Sequence, residues 1–179
     1  MPTAPRPALT RASLPADEVA PFYAGYVGAV PAGETIDDAL AGSLAALDAW
    51  LTGVAESRAG YAYAPGKWTV AQALQHVVDS ERVFAYRSLC FARGGAAALA
   101  GFDQDVFAAA APAGDRGLAD LLGELRVVRA GTRALFASFG DDALTRRGTA
   151  SGVEQTCRAW GFITAGHCYH HVEIFRERY

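Results

Sequence analysis

Apolar residues recur at steps of three and four along four long segments of this chain. That spacing places them on one face of an α-helix, whereas a half-buried strand would show strict alternation. The four stripes are Ile36, Leu40, Leu44, Leu47, Leu51 and Val54; Val70, Leu74, Val77, Glu81, Phe84 and Ala85; Leu118, Leu121, Leu122, Leu125, Val128 and Leu135; and Trp160, Ile163, His167, His171 and Ile174. Because each stripe must be buried against another, the pattern predicts an all-α four-helix bundle.

Residues typical of helix N-caps precede the stripes. The predicted starts are Thr35 with Asp38, Thr69 with Gln72, Asp115, and either Ser151 with Glu154 or Thr156 for the fourth helix. Short links join helices one to two and three to four, so each pair is expected to be antiparallel. The longer connection between helices two and three, with a short helical turn near residues 102–109, is able to cross the bundle. We therefore predict an up-down-down-up topology.

The first 33 residues are rich in proline and alanine. This composition indicates an N-terminal arm (residues 1–33) that packs on the bundle domain (residues 34–179). We expect the aromatic side chains of Phe22, Tyr23 and Tyr26 to lie across the bundle. The arm has no apolar segment of the kind that a signal peptide needs. No apolar run in the chain approaches the ~18 residues of a membrane span.

Charge and cysteine content exclude several classes of function. The chain of 179 residues has a net charge of −3 and a single lysine, Lys67, so binding to nucleic acid through phosphate neutralisation is not expected. Its three cysteines are odd in number and lack CxxC spacing, which favours a reducing compartment over a disulfide framework. We expect a cytoplasmic protein that acts on a small molecule and binds neither nucleic acid nor membrane.

The histidines carry the strongest functional signal. The chain has four, and His167 and His171 occupy two successive steps of the fourth stripe, where a core would have leucine. Residues four apart lie one above the other on a helix, so this pair offers two nitrogens to one metal ion. His76, beside the second stripe, is placed to add a third. Three protein ligands leave positions open for water or substrate, as in catalytic sites.

Other interpretations of these residues remain open. A lone HxxxH pair is weak evidence, and a single His76 is more often a hydrogen-bonded, partly buried residue. His170 points about 100° away from His171, which suits a supporting or surface position, although it is also spaced to replace a neighbour as a ligand. Asp79 either orients a ligand imidazole or pairs on the surface with Arg82 or Arg87.

Several motifs together resemble the DinB-like superfamily, also called YfiT-like. They are residues 67–70 (KWTV), 76–82 (HVVDSER), 84–87 (FAYR), 101–105 (GFDQD) and 166–171 (GHCYHH). The resemblance spans residues 35 to 179 and implies a four-helix bundle that binds a divalent metal, usually nickel or zinc. It implies metal ligands at His76, His167 and His171, and a homodimer. Characterised members of the superfamily include thiol-dependent S-transferases and a mycothiol-dependent isomerase.

Two functions follow as hypotheses. The first is a metal-dependent enzyme that activates a low-molecular-weight thiol or water, as an S-transferase or a hydrolase. The alternative is a non-catalytic stress-response or binding module in which the metal is structural. The lack of an HExxH-type glutamate between the paired histidines slightly favours thiol transfer, because a thiol needs no separate general base.

Overall fold

The computed structural model describes residues 9–95, 97–111 and 115–179. Within these residues, the helices in chain order are α1 (Ala24–Ala29), α2 (Ile36–Thr52), α3 (Val70–Ala92), α4 (Gln104–Ala110), α5 (Leu118–Ala137), α6 (Asp141–Thr145) and α7 (Cys157–Arg178). The strands are β1 (Arg147–Ala150) and β2 (Val153–Thr156), and the 3-10 turns are Arg11–Ser13, Ala16–Glu18, Pro21–Tyr23 and Glu56–Arg58. The bundle consists of α2, α3, α5 and α7, which confirms the predicted fold class.

Contacts near helix ends establish the direction of the bundle helices. Asp37, at the start of α2, pairs with Arg133, near the end of α5, so these two helices run antiparallel. Trp50, near the end of α2, stacks on Phe175, near the end of α7, with ring centroids 4.7 Å apart. Helices α2 and α7 are therefore parallel neighbours.

The position of α3 completes the topology. The carbonyl oxygen of Ser88, late in α3, accepts a hydrogen bond from Sγ of Cys157, the first residue of α7. Helix α3 is thus antiparallel to α7 and runs in the same direction as α5, against which it also packs. The up-down-down-up arrangement predicted from the link lengths is confirmed.

Side-chain caps begin three of the four bundle helices as predicted. Thr35 with Asp38, and Thr69 with Gln72, form reciprocal capping boxes at the starts of α2 and α3. Thr156 accepts a hydrogen bond from the backbone of the first turn of α7, which confirms the second of the two predicted starts. These contacts satisfy backbone N–H groups that have no partner within the helix.

The start of α5 differs from the prediction. Asp115 does not cap this helix; the N-cap residue is Gly117, which has no side chain. The carboxylate of Glu56 instead accepts hydrogen bonds from the amides of Leu118 and Ala119, at 2.7 and 2.9 Å. A charged group from the α2–α3 link therefore stabilises the positive end of the α5 dipole, and sequence neighbours of the helix give no sign of it.

The link between α5 and α7 contains α6 and a β-hairpin, and the sequence analysis predicted no strands here. Strands β1 and β2 are antiparallel, and Ala150 is paired with Val153 across the two-residue turn. Ser151 and Gly152 both have positive φ, 52° and 78°, as a type I′ turn requires. Ser151 is therefore a turn residue, which corrects the first of the two predicted starts for the fourth helix. A Ser-Gly pair is a turn signal in its own right.

A buried ion pair links three helices of the core. Arg129 of α5 makes two hydrogen bonds to the carboxylate of Glu81 on α3, at 2.8 and 2.7 Å, and both side chains are at most 2% exposed. The same guanidinium donates to the carbonyl oxygen of Leu40 and to Ser43, both on α2. Glu81, the one polar member of its stripe, is thus explained by a partner that satisfies its charge.

No helix among the described residues is both long enough and apolar enough to span a membrane.

Candidate metal centre

The structure brings His76, His167 and His171 together in the interior. One ring nitrogen from each lies within 4.8 Å of the others, and we call these three residues the histidine cluster. Nε2 of His76, on α3, is 3.1 Å from Nε2 of His167, on α7. All three side chains are buried, with 6%, 4% and 7% of their surfaces exposed.

Burial keeps these imidazoles neutral. It lowers the pKa of His76 to about 4, from an ordinary value of 6.5. Burial also lowers the pKa values of His167 and His171 well below that value, and the neighbouring histidines add to both shifts. A neutral imidazole has a free lone pair at physiological pH, which is the form that binds a metal ion.

The cluster fits a divalent metal ion in two further respects. Metal–nitrogen bonds of ~2.0–2.1 Å place two nitrogens of a tetrahedral site ~3.3–3.4 Å apart. The 3.1 Å separation between His76 and His167 is close to that spacing. Nδ1 of His171 is buried without a hydrogen-bond partner among the described residues, and such an atom is costly unless something binds it.

Aromatic rings and one hydroxyl surround the cluster. The ring centroid of Trp68 is 4.8 Å from that of His76, and the rings of Tyr26 and Phe84 lie 5.3 and 5.5 Å from that of His167. Oγ of Ser80, one turn after His76, is 3.4 Å from both nitrogens of that ring. These contacts hold the imidazoles in place.

The N-terminal arm reaches this site because α7 has a glycine at position 166. A Cβ built on Gly166 would lie 1.9 Å from the carbonyl oxygen of Tyr26 in α1, far inside van der Waals contact. Only glycine lets the backbone of α1 approach α7 this closely. The absence of a side chain at the residue before His167 thus allows the Tyr26 ring to lie against the cluster.

Two cavities meet at the cluster, and both are lined by Tyr26, His76 and Gln104. The aromatic cavity, of about 460 Å³, is also lined by His167, Ser80 and Arg87. Its aromatic walls are Phe22, Tyr23, Tyr26, Phe84 and Phe102. The polar cavity, of about 420 Å³, is also lined by His171, His170, Lys67 and Asp105. Volumes of this size suit small-molecule ligands.

His170 and Asp79 lie outside the cluster. The exposed His170 lines the polar cavity, where its ring contacts those of Tyr26 and His171 at 5.2 and 5.5 Å. Asp79 accepts a hydrogen bond from Gln75, and its carboxylate lies 3.6 Å from the guanidinium of Arg82. Its contacts within the described residues include no site histidine, which matches the surface-pair interpretation.

The cysteines also lie outside the cluster. All three are free, and Cys157 and Cys168 are buried. Burial raises the pKa of Cys157 to about 12 and raises that of Cys168. Neither thiol readily forms a thiolate at neutral pH, so both act as small core residues.

Sequence reasoning missed the contribution of Arg87 to the site. His76, Ser80, Phe84 and Arg87 follow steps of four, four and three along α3, and all four line the aromatic cavity. This spacing is visible in the sequence. However, the apolar stripe used to predict the helix passes through Val77 and Glu81, and it does not include His76, Ser80 or Arg87. The residues from the arm carried no comparable signal, because their distance from the cluster in sequence is large.

Comparison with known proteins shows which family has this architecture. The family model described as the DinB superfamily matches residues 39–175. The chain belongs to the DinB superfamily. The resemblance drawn from the motifs is therefore confirmed, and the histidine cluster lies within the matched residues. Comparison with curated proteins found no match.

One solved structure shares the fold of this DinB-superfamily chain. It is YfiT from Bacillus subtilis, described as "a probable metal-dependent hydrolase with an unusual four-helix bundle topology". The TM-score is 0.71 at 19% sequence identity, and the match covers 79% of this chain and 82% of YfiT. At that identity the likeness shows the fold alone.

Proposed function

We propose that this DinB-superfamily protein is a metal-dependent enzyme in which His76, His167 and His171 hold one divalent ion, nickel or zinc. The observation that supports this is the convergence of three neutral imidazoles where two ligand-sized cavities meet. Structural zinc sites are usually closed by four protein ligands. A cluster of three that faces open cavities favours catalysis over a purely structural role.

The metal ion, the imidazoles and the aromatic cavity would have separate roles in the reaction. A bound ion supplies Lewis acidity, which lowers the pKa of a thiol or a water molecule and provides a nucleophile near neutral pH. The buried imidazoles bind without first losing protons, because their pKa values are already low. The aromatic cavity holds the substrate and excludes water from the reacting end.

We propose a low-molecular-weight thiol as the nucleophile. Among the residues that the structure describes, no aspartate or glutamate lines the aromatic cavity. Hydrolysis usually requires a positioned base to activate water, whereas a thiol loses its proton readily once its pKa is lowered. In the reaction the thiol would lose its proton to solvent and its sulfur would form a C–S bond to an electrophilic carbon of the substrate, from which a leaving group such as halide departs.

Hydrolysis is the second candidate, and the polar cavity supports it. Asp105 and His170 line that cavity together with His76 and His171, so a base could act from that side. The description of YfiT as a probable metal-dependent hydrolase also favours this reaction class.

Metal content tests the site first. Protein purified without a histidine tag and loaded with zinc or nickel should retain about one ion per chain after desalting. His76→Ala and His171→Ala should lose that ion, whereas His170→Ala, on the same helix but outside the cluster, should keep it. Equal loss in all four proteins, including the wild type, would contradict the metal centre.

Activity then separates the candidate reactions. The metal-loaded protein should conjugate cysteine to monochlorobimane faster than His76→Ala does. Turnover of 4-nitrophenyl acetate without thiol conjugation would identify a hydrolase instead. A large fall in melting temperature on chelation, together with inactivity on both substrates, would favour a structural metal in a non-catalytic module.

A further inference from the structure

One cationic side chain that lines the aromatic cavity is buried without an anionic partner in the part of the chain that the structure describes. Arg87 of α3 is 2% exposed, and its contacts within the described residues include no carboxylate. Its Nη2 donates to two neutral acceptors, the carbonyl oxygen of Ala100 at 3.1 Å and Oγ of Ser151 at 2.7 Å. The other buried arginine of the bundle, Arg129, has Glu81 to balance its charge.

The surroundings of Arg87 make an unbalanced charge costly. Its guanidinium carbon is 5.0 Å from the ring centroid of Trp160 and 5.9 Å from that of Phe102. Ring faces attract a cation, but a full charge taken out of water is stabilised mainly by a counter-ion. Since no acidic residue of the described chain lines this cavity, a counter-ion would have to come from a ligand.

The guanidinium is suited to bind such a ligand. It has five N–H donors in a planar fork that matches the two oxygens of a carboxylate. The two hydrogen bonds to Ala100 and Ser151 both come from Nη2, so no described residue uses the donors on Nε and Nη1. The contacts at Nη2 fix the plane of the fork in advance.

Arg87 and the histidine cluster line the same cavity at different points. His76 and Arg87 are eleven residues apart on α3, which is about 16 Å along the helix axis. Phe84 lies between them in sequence. Its ring centroid is 5.5 Å from that of His167 and 5.1 Å from that of Trp160. A ligand that spans the cavity would thus meet a cation at one end, aromatic walls in the middle and the cluster at the other.

We infer that Arg87 binds the carboxylate of the substrate, and that the substrate is an apolar, aromatic or similarly flat monocarboxylic acid whose reacting group faces the histidine cluster. The identity of the reacting end rests on the proposed function; the carboxylate site does not. Arg87 is then a specificity-determining residue, and neutral analogues of the substrate should bind poorly.

Binding to chelator-treated protein tests this without any metal or turnover. The probes are 4-phenylbutanoate and its neutral isostere 4-phenylbutanamide, titrated by calorimetry or by tryptophan fluorescence. The wild type should bind the acid at least about tenfold more tightly than the amide, since charge-assisted hydrogen bonds are the stronger ones. Arg87→Gln should bind both probes with similar affinity, while its affinity for the amide should equal that of the wild type.

Two further variants separate recognition from architecture. Ser151→Ala removes a hydrogen-bond partner of Arg87 but keeps the guanidinium, so it should retain the preference for the acid. Arg87→Lys keeps the charge but not the planar fork, and its preference should be reduced but present; it also serves if Arg87→Gln fails to fold.

Equal binding of the two probes to the wild type would overturn the inference, as would an unchanged preference in Arg87→Gln. Because metal is absent throughout, a failure here leaves the metal centre standing. A protein that binds no metal yet prefers the acid would refute the proposed function alone.

Discussion

The stability of the metal-free protein should fall as the pH falls below the ordinary pKa of histidine. The unfolded chain binds protons on its histidines near the ordinary value of 6.5, whereas folding holds the pKa of His76 at about 4. Between these two values the unfolded state carries more protons than the folded state. Acid therefore stabilises the unfolded chain and lowers the free energy of unfolding.

The size of the effect follows from these two pKa values. Between about pH 7.5 and 5.5, His76 alone should reduce the free energy of unfolding by about 1 kcal/mol. The pKa values of His167 and His171 are shifted in the same direction, so each adds to the loss, and the total exceeds the contribution of His76 alone.

Urea unfolding of chelator-treated protein at the two pH values measures this difference. His76→Gln should show a pH-dependent loss smaller by about 1 kcal/mol, because glutamine does not titrate. His170→Gln, which changes an exposed ring, should differ much less from the wild type. Identical free energies of unfolding at both pH values in the wild type would refute the reasoning, since they would mean that the buried rings accept protons as readily as free ones.

Two stability predictions concern the packing that supports the site. Arg129→Ala should destabilise the protein by about 3–5 kcal/mol, because it leaves Glu81 charged and unpaired in the core. Arg133→Ala, which breaks an exposed pair, should cost about 1 kcal/mol or less in the same denaturant titration; similar losses would argue against the buried pair. Gly166→Ala should lower stability by about 1–3 kcal/mol by forcing α1 away from α7. Gly131→Ala, with open space around the new Cβ, should instead stabilise α5 by up to about 1 kcal/mol. Equal thermal shifts in both glycine variants would contradict the close approach.

The helices were predictable because their signals are local. The stripe from Ile36 and the capping pair Thr69 with Gln72 each lie within a few turns of chain, and the structure confirms both elements. The same holds for His167 and His171, whose separation of four residues places them on one helix face wherever that helix packs. Their juxtaposition with His76 was a reasonable hypothesis from the paired stripes, and the folded bundle brings the three together.

Errors arose where a distant residue replaces a local one. The cap of α5 comes from Glu56, 62 residues before Leu118, so the nearby Asp115 was a plausible but wrong choice. Ser151 and Glu154 also have the spacing of a capping box, so Ser151 was one of two possible starts for the fourth helix, beside Thr156. Positive φ at Ser151 and Gly152 settles that ambiguity in favour of a turn.

The sequence by itself determined the four amphipathic helices, their order and the pair of histidines on one face, since periodicity and capping act over a few residues. Only the tertiary structure decided what surrounds those histidines. The approach of Tyr26 to Gly166 and the placing of Arg87 beside the rings of Trp160 and Phe102 depend on segments far apart in the chain. Such contacts form only when the apolar faces of several helices are buried together, so they cannot be predicted from any single segment of the sequence.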